Sequence, residues 1–349
     1  MRAVAGHSAP RAARAENCLR AALLLACALG AAPPRAQAAE PAFSPAEIRK
    51  LLTAPAAKLA HYQFDARRPL ADRVGVCPYF LLKTLREMDG RPDYKAYTLT
   101  PAERTLFLGY LEGLPAGMRR TFTEGLVGVY FVKGLMGNGL TSWVYDGSSA
   151  RHAYIVLNPA GFERPLSETL REREASVFTG KLPLRVETGS GDERGILYSL
   201  LHEGAHACDY IRGLTPWVEP FIVHAFPEGR SLKDSWDVWA RHDRPRPDAD
   251  FPLRKDLRFY GFSPPLIAPS QAPRLYRGFA GSPFASLYGS RTWAEDAAEL
   301  VVFQHLTGKL RLPYAIVVGE GKEALRIEPM RSPKVRRRAA RLYRLLEQP

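Results

Sequence analysis

The chain has 349 residues, 46% of them hydrophobic and 24% charged, with a formal net charge of +13 and four cysteines. That hydrophobic content suffices to bury a sizeable core and excludes an intrinsically disordered chain, while so few cysteines exclude a disulfide-built scaffold. The basic excess lacks aromatic-interleaved basic motifs, so it predicts a solvated basic surface or contact with anionic envelope polymers, and no nucleic acid.

At the N-terminus, Arg2, Arg11, Arg14 and Arg20 precede a short apolar stretch from Ala21 to Ala32 that leads to Ala36-Gln37-Ala38. This is the layout of a secretory signal peptide, so residues 1–38 are expected to be a leader and the mature chain to begin near Ala39. Leu24-Leu25-Ala26-Cys27 offers a second reading, lipidation at Cys27, and both readings predict an exported protein, periplasmic or secreted, without a transmembrane span. Loss of the leader removes five arginines and one glutamate, which lowers the net charge from +13 to +9.

Residues 39–134 read as a mainly helical region, with candidate helices over 45–59, 76–88 and 101–112 separated by Pro and Gly. Strands are expected over 125–132 and 142–146, around the turn Gly134-Leu135-Met136-Gly137-Asn138-Gly139, which reads as a hairpin connection. His152-Ala153-Tyr154-Ile155-Val156-Leu157-Asn158 is a further strand. A second unit is expected over 135–330, followed by a basic helix over 331–349. There Arg331, Lys334, Arg336, Arg337, Arg338, Arg341 and Arg344 accompany Leu342, Tyr343, Leu345 and Leu346, which would pack the helix down.

Within the second unit lies Leu201-His202-Glu203-Gly204-Ala205-His206. Residues four apart on a helix point the same way, so His202 and His206 can offer two imidazoles to one Zn²⁺ with Glu203 beside the open position as general base. Ser190-Gly191-Asp192-Glu193 reads as a capping box that starts this helix, Ile196, Leu197, Leu200, Leu201 and Ala207 supply its buried positions, and Gly213 is its expected stop.

Residues 214–285 are rich in Pro, Trp and Phe and are expected to shape a substrate cleft. An acidic but otherwise apolar helix follows over 291–303. Buried carboxylates need partners, and a catalytic zinc site needs a third protein ligand. Glu295 is the choice for that ligand and Glu299, one turn on, for bracing the site, with Glu299 and Asp296 as competing ligands because register alone does not separate neighbours. Tyr288, seven residues before Glu295, can donate a hydrogen bond to an oxyanion, or can be a core residue. Asp209 can orient a ligand histidine or form a surface pair. Cys77 and Cys208 are the cysteines left after the leader and can pair in an oxidising compartment, while Cys208 faces away from the metal face.

These motifs together resemble the gluzincin metallopeptidases of the anthrax lethal factor type, with H-E-x-x-H followed by x-x-Asp and then Tyr-Gly-x-x-x-x-x-Glu with a further Glu one turn on. The likeness covers about residues 196–212 and 284–308, and the chain departs from the pattern at Gly204-Ala205. The resemblance implies an α+β fold with a zincin-like metallopeptidase core, made of a small sheet, an active-site helix and a Glu-ligand helix behind a mainly helical N-terminal region. It implies one Zn²⁺ held by His202, His206 and Glu295, with Glu203 as general base, Tyr288 as transition-state donor and a peptide or protein substrate. It also implies that strand 152–158 lines the cleft, where an extended substrate can pair with it. A zinc hydrolase of another amide or ester, or a non-catalytic zinc-binding envelope protein, are the rival readings.

Overall fold

The computed structural model describes residues 44–189, 193–225 and 235–348. The expected leader and Cys27 lie outside these residues, as do Ser190, Gly191 and Asp192. The fold is mixed α and β, built on a small mixed sheet. Its helices begin where the local chemistry favours them. Helix α1 (Pro45–Thr53) starts from Ser44 with a reciprocal Ser44–Glu47 capping box, and Pro45 stands where no amide is needed. After strand β1 (Val74–Val76), α2 (Tyr79–Asp89) stops at Gly90 in the left-handed conformation. The short β2 (Lys95–Ala96) precedes α3 (Pro101–Gly113), which repeats the capping box with Thr100 and Glu103, and α4 (Ala116–Gly125).

Strands β3 (Leu126–Lys133), β4 (Gly139–Val144) and β5 (His152–Leu157) complete the sheet. Its order is β1-β3-β5-β4, with β2 also on β3; β1, β3 and β5 run parallel and β4 antiparallel to β5. The turn at 134–139 is therefore not a hairpin connection, because β5 enters between β3 and β4 and takes the backbone groups of both. Asn158 at the end of β5 anchors that turn, donating from its side-chain amide to the carbonyls of Leu135 and Gly137.

Both faces of this sheet are buried, as parallel strands require. Leu126, Val129, Phe131, Ala153, Ile155 and Leu157 face the main core, while Val127, Tyr130, Val132, Tyr154 and Val156 face a second cluster with Leu81, Leu82, Leu85 and Met88 of α2. The expected division at 134/135 falls inside this sheet. Residues from Leu51 to Leu346 share one core, so the terminal basic helix is also part of it.

Helix α5 (Leu166–Ala175) and strand β6 (Leu184–Glu187) lead to α6 (Gly195–Arg212), the helix of the H-E-x-x-H motif. It starts with Arg194 in the cap position, and Ser190 of the expected Ser190–Glu193 box falls outside the described residues; the helix stops at Gly213, whose φ is +76°. Every residue from Gly195 to Ala205 is buried, packed between the sheet and α8 (Trp293–Gln304); α7 (Ala272–Ala280) lies between them in the chain. The antiparallel β7 (Ala315–Val318) and β8 (Leu325–Ile327) join β6 in a second sheet. Helix α9 (Pro333–Glu347) packs on α8 and α4, burying Val335, Ala339, Leu342, Tyr343 and Leu346 and leaving Arg336, Arg337, Arg341 and Arg344 exposed. Cys77 and Cys208 are both buried and free; they lie in different core clusters. Among the described residues no helix is long and apolar enough to cross a membrane.

Candidate metal centre

Helix α8 carries Glu295, Asp296 and Glu299, all buried, and each finds a different partner. Thr292 caps the helix by accepting the amide of Glu295, which sets its first turn against α6. Glu295 faces α6. Its Oε2 lies 3.1 Å from Nε2 of His202 and 3.4 Å from Nε2 of His206, and the two imidazole nitrogens are 3.2 Å apart. These are the three side chains whose ligand atoms, all within 4.8 Å of one another, could hold a metal ion. Oε2 of Glu295 is buried and, among the described residues, has no hydrogen-bond partner of acceptable geometry. A buried carboxylate oxygen left so is costly unless a cation takes its lone pair.

Asp296 points elsewhere. It accepts from Trp239 Nε1 at 2.7 Å and pairs with the Arg338 guanidinium of α9, so it is not among the ligand atoms. Glu299 lies behind His202. Its Oε1 accepts from His202 Nδ1 at 2.9 Å and from Tyr198 Oη at 2.8 Å, and its Oε2 from Arg173 at 2.7 Å and Ser286 Oγ at 2.5 Å. Glu299 thus holds the Nδ1 side of the ring, and Nε2 is the His202 nitrogen that faces the cluster.

The charges of the cluster follow from these contacts. Burial alone would lower the His202 imidazole, but Glu295 and Glu299 outweigh it and push the group up to about 10. Burial would raise Glu295, and both histidines override it, holding the carboxyl far below its usual range. Glu299 is held at about 2, as Arg173 and His202 override the cost of burial.

Glu203 stands beside His202 in a narrow cleft lined by Gly137, Asn138, Gly139, Tyr198, Ser199, Tyr260, Phe262 and Tyr288. Thr141 Oγ1 of β4 lies 2.8 Å from its Oε2, to which it donates, and 2.9 Å from its carbonyl oxygen. Burial raises the Glu203 carboxyl above its ordinary value against the lowering pull of His202, His206 and Thr141. Tyr288 donates to Oε1 of Glu295 at 3.3 Å, and its ring centroid lies 5.5 Å from that of His202. The Tyr-Gly pair has a steric reason, since a β-carbon at Gly289 would stand 3.1 Å from Cβ of Glu299. Gly204 in the helix has one too: a β-carbon there would meet Phe122 at 3.0 Å and Met118 at 3.1 Å on α4.

Asp209 is buried and spent on the turn beyond α6, accepting from the Thr215 amide at 2.8 Å and the Thr215 hydroxyl at 2.6 Å. Nδ1 of His206 has no hydrogen-bond partner among the described residues, so Asp209 does not orient it. The strand of 152–158 does not line the cleft either. As β5 it is enclosed by β3 and β4, and Gly139 of the terminal strand β4 takes that place.

Sequence reasoning missed Gly139, Thr141, Arg173, Tyr198, Tyr260 and Ser286. Tyr198 had a signal, being one turn before His202 on the same face; the others come from segments that only the fold brings to α6 and α8. No protein-family model, curated protein or solved structure matches the chain.

Proposed function

We propose that the protein is an exported zinc-dependent metallopeptidase with a zincin-like core, in which His202, His206 and Glu295 hold Zn²⁺. The observation that carries this reading is the convergence of two imidazole nitrogens and one orphaned carboxylate oxygen at separations of 3.1, 3.2 and 3.4 Å. Donors about 2.0–2.1 Å from a tetrahedral zinc stand about 3.3 Å from one another. A carboxylate behind the far nitrogen of His202 and a second glutamate beside the cluster complete what a hydrolytic site needs. The small mixed sheet beside α6 and α8 supports the reading of α6 as the active-site helix and α8 as the Glu-ligand helix of such a core.

A zinc ion bound there supplies Lewis acidity to a scissile carbonyl and lowers the pKa of water. Glu203, with its carboxyl raised by burial, takes the proton from the attacking water and returns it to the leaving amine. Thr141 keeps the Glu203 carboxylate from rotating away. Tyr288 releases Glu295 and donates to the carbonyl oxygen as it gains negative charge. The test is metal content and peptide hydrolysis of the purified protein beside Glu203→Gln. About one zinc per chain in both and cleavage by the parent alone is expected; equal cleavage by both, or a parent that binds no zinc, would overturn the proposal.

A further inference from the structure

A full cation is buried behind the metal centre, with no exposed surface of its own. Arg173 of α5 is 0% exposed. Its NH1 donates to Glu299 Oε2 at 2.7 Å and to Tyr198 Oη at 2.7 Å, and its NH2 to Glu174 Oε1 at 3.1 Å. The same guanidinium lies over three rings, 5.1 Å from the centroid of Tyr198, 5.7 Å from Tyr288 and 6.0 Å from Phe303. Burying a guanidinium is expensive without paired carboxylates; here NH1 and NH2 are paired, while Nε has no hydrogen-bond partner among the described residues.

Glu299 is a four-contact carboxylate whose two oxygens are divided between functions. Oε1 takes His202 and Tyr198; Oε2 takes Arg173 and Ser286. The side chain can turn its Oε1 toward His202 only while Oε2 is pinned on the other side, and Arg173 supplies the charged half of that pin. Tyr198 is itself a donor to Oε1 and an acceptor from Arg173, so one guanidinium fixes both oxygens. Glu174 does not compete equally: burial raises its carboxyl, and its other oxygen accepts from Tyr276 at 3.0 Å.

We propose that Arg173 is a positioning residue of the metal centre, which acts through Glu299 on the orientation of His202 and through its ring contact on the placement of Tyr288. This rests on the reading of His202, His206 and Glu295 as metal ligands. A purely structural role for Arg173 predicts lower stability and nothing more. A positioning role predicts a changed metal site in protein that is still folded, because partners behind a ligand histidine typically govern about 10–100-fold in metal affinity.

The test compares zinc affinity by competition with a chromophoric chelator, and the visible absorption of the cobalt(II)-loaded protein, in the parent, Arg173→Met, Arg173→Lys and Ser286→Ala. Circular dichroism establishes which variants are folded. Arg173→Met is expected to weaken zinc binding by about tenfold or more and to shift the cobalt bands. Arg173→Lys, which keeps the charge but loses the fork, should recover part of the affinity, and Ser286→Ala should weaken it less. If Arg173→Met folds with parental affinity and spectrum, the proposal fails. If Arg173→Met does not fold, parental affinity and spectrum in both Arg173→Lys and Ser286→Ala overturn it. A parent that binds neither metal removes the metal-site reading itself, which is a different result.

Discussion

Gly139 leaves no room between β4 and Glu203: a β-carbon on it would stand 2.6 Å from Cγ and 2.9 Å from Oε1 of that glutamate. The absent side chain is what allows the edge of the sheet to close on the carboxylate that Thr141 holds from the same strand. We predict that Gly139→Ala displaces Glu203 and lowers peptide hydrolysis about a hundredfold, within the range a misplaced general base costs. Zinc content should stay near one per chain, because the ligands do not touch residue 139. Parental turnover in Gly139→Ala would show that Glu203 yields to the methyl group without leaving its working position.

Two adjacent acids on α8 should give opposite phenotypes. Glu295→Ala is expected to lose zinc while keeping the fold, since Oε2 of Glu295 makes no hydrogen bond that the fold relies on. Asp296→Ala is expected to keep zinc and to lose stability, roughly 3 kcal/mol, because the buried Arg338 would lose one of its two carboxylates and keep only Asp237. Metal analysis and urea unfolding of the two variants decide it, and zinc loss from Asp296→Ala would contradict the assignment.

Tyr288→Phe separates the phenol from the rest of the site. The ring contacts with His202 and Tyr260 remain, while the bond to Glu295 and the donor to substrate are lost. We predict zinc affinity within a few-fold of the parent and a kcat lower by about 10²-fold, the scale for one oxyanion donor, with KM little changed. An unchanged kcat would make Tyr288 a packing residue.

Glu219 makes a pH prediction away from the metal. It is buried, accepts from Tyr210 Oη at 3.2 Å, and burial pushes its carboxyl from 4.5 up to about 7. Between those values the folded protein retains a proton that the unfolded chain has released, so this group makes stability fall as pH rises from 4.5 to 7. Glu219→Gln removes the effect and should be more stable than the parent by roughly 3 kcal/mol at pH 8, with the gain vanishing at pH 4. Parallel urea midpoints across this range would refute the shift.

What the sequence disclosed about the site is what one helix turn encodes. His202 and His206 are fixed in register by their spacing, and Glu295 follows because a core-facing carboxylate on an apolar helix needs a partner. The competition with Asp296 and Glu299 was not decidable from register, since what separates the three is which neighbour each meets: the histidines, Arg338 of α9, or Arg173 of α5. Arg173 and Glu299 are 126 residues apart, and no local pattern links them. Helices α1, α2 and α3 were legible through caps, Pro and Gly. The strand order was not, because β5 pairs with two strands that precede it in the chain, and the hydrophobic pattern of a doubly buried strand does not say who its neighbours are.

That order has a consequence for synthesis. Among the described residues, 139–144 pair only with β5, so the wall that seats Glu203 has no strand to join until His152–Leu157 has left the ribosome. The third ligand and its brace follow more than a hundred residues later, at Glu295 and Glu299. A nascent chain therefore carries both histidines well before it can close the cluster, which comes together only after almost the whole polypeptide exists.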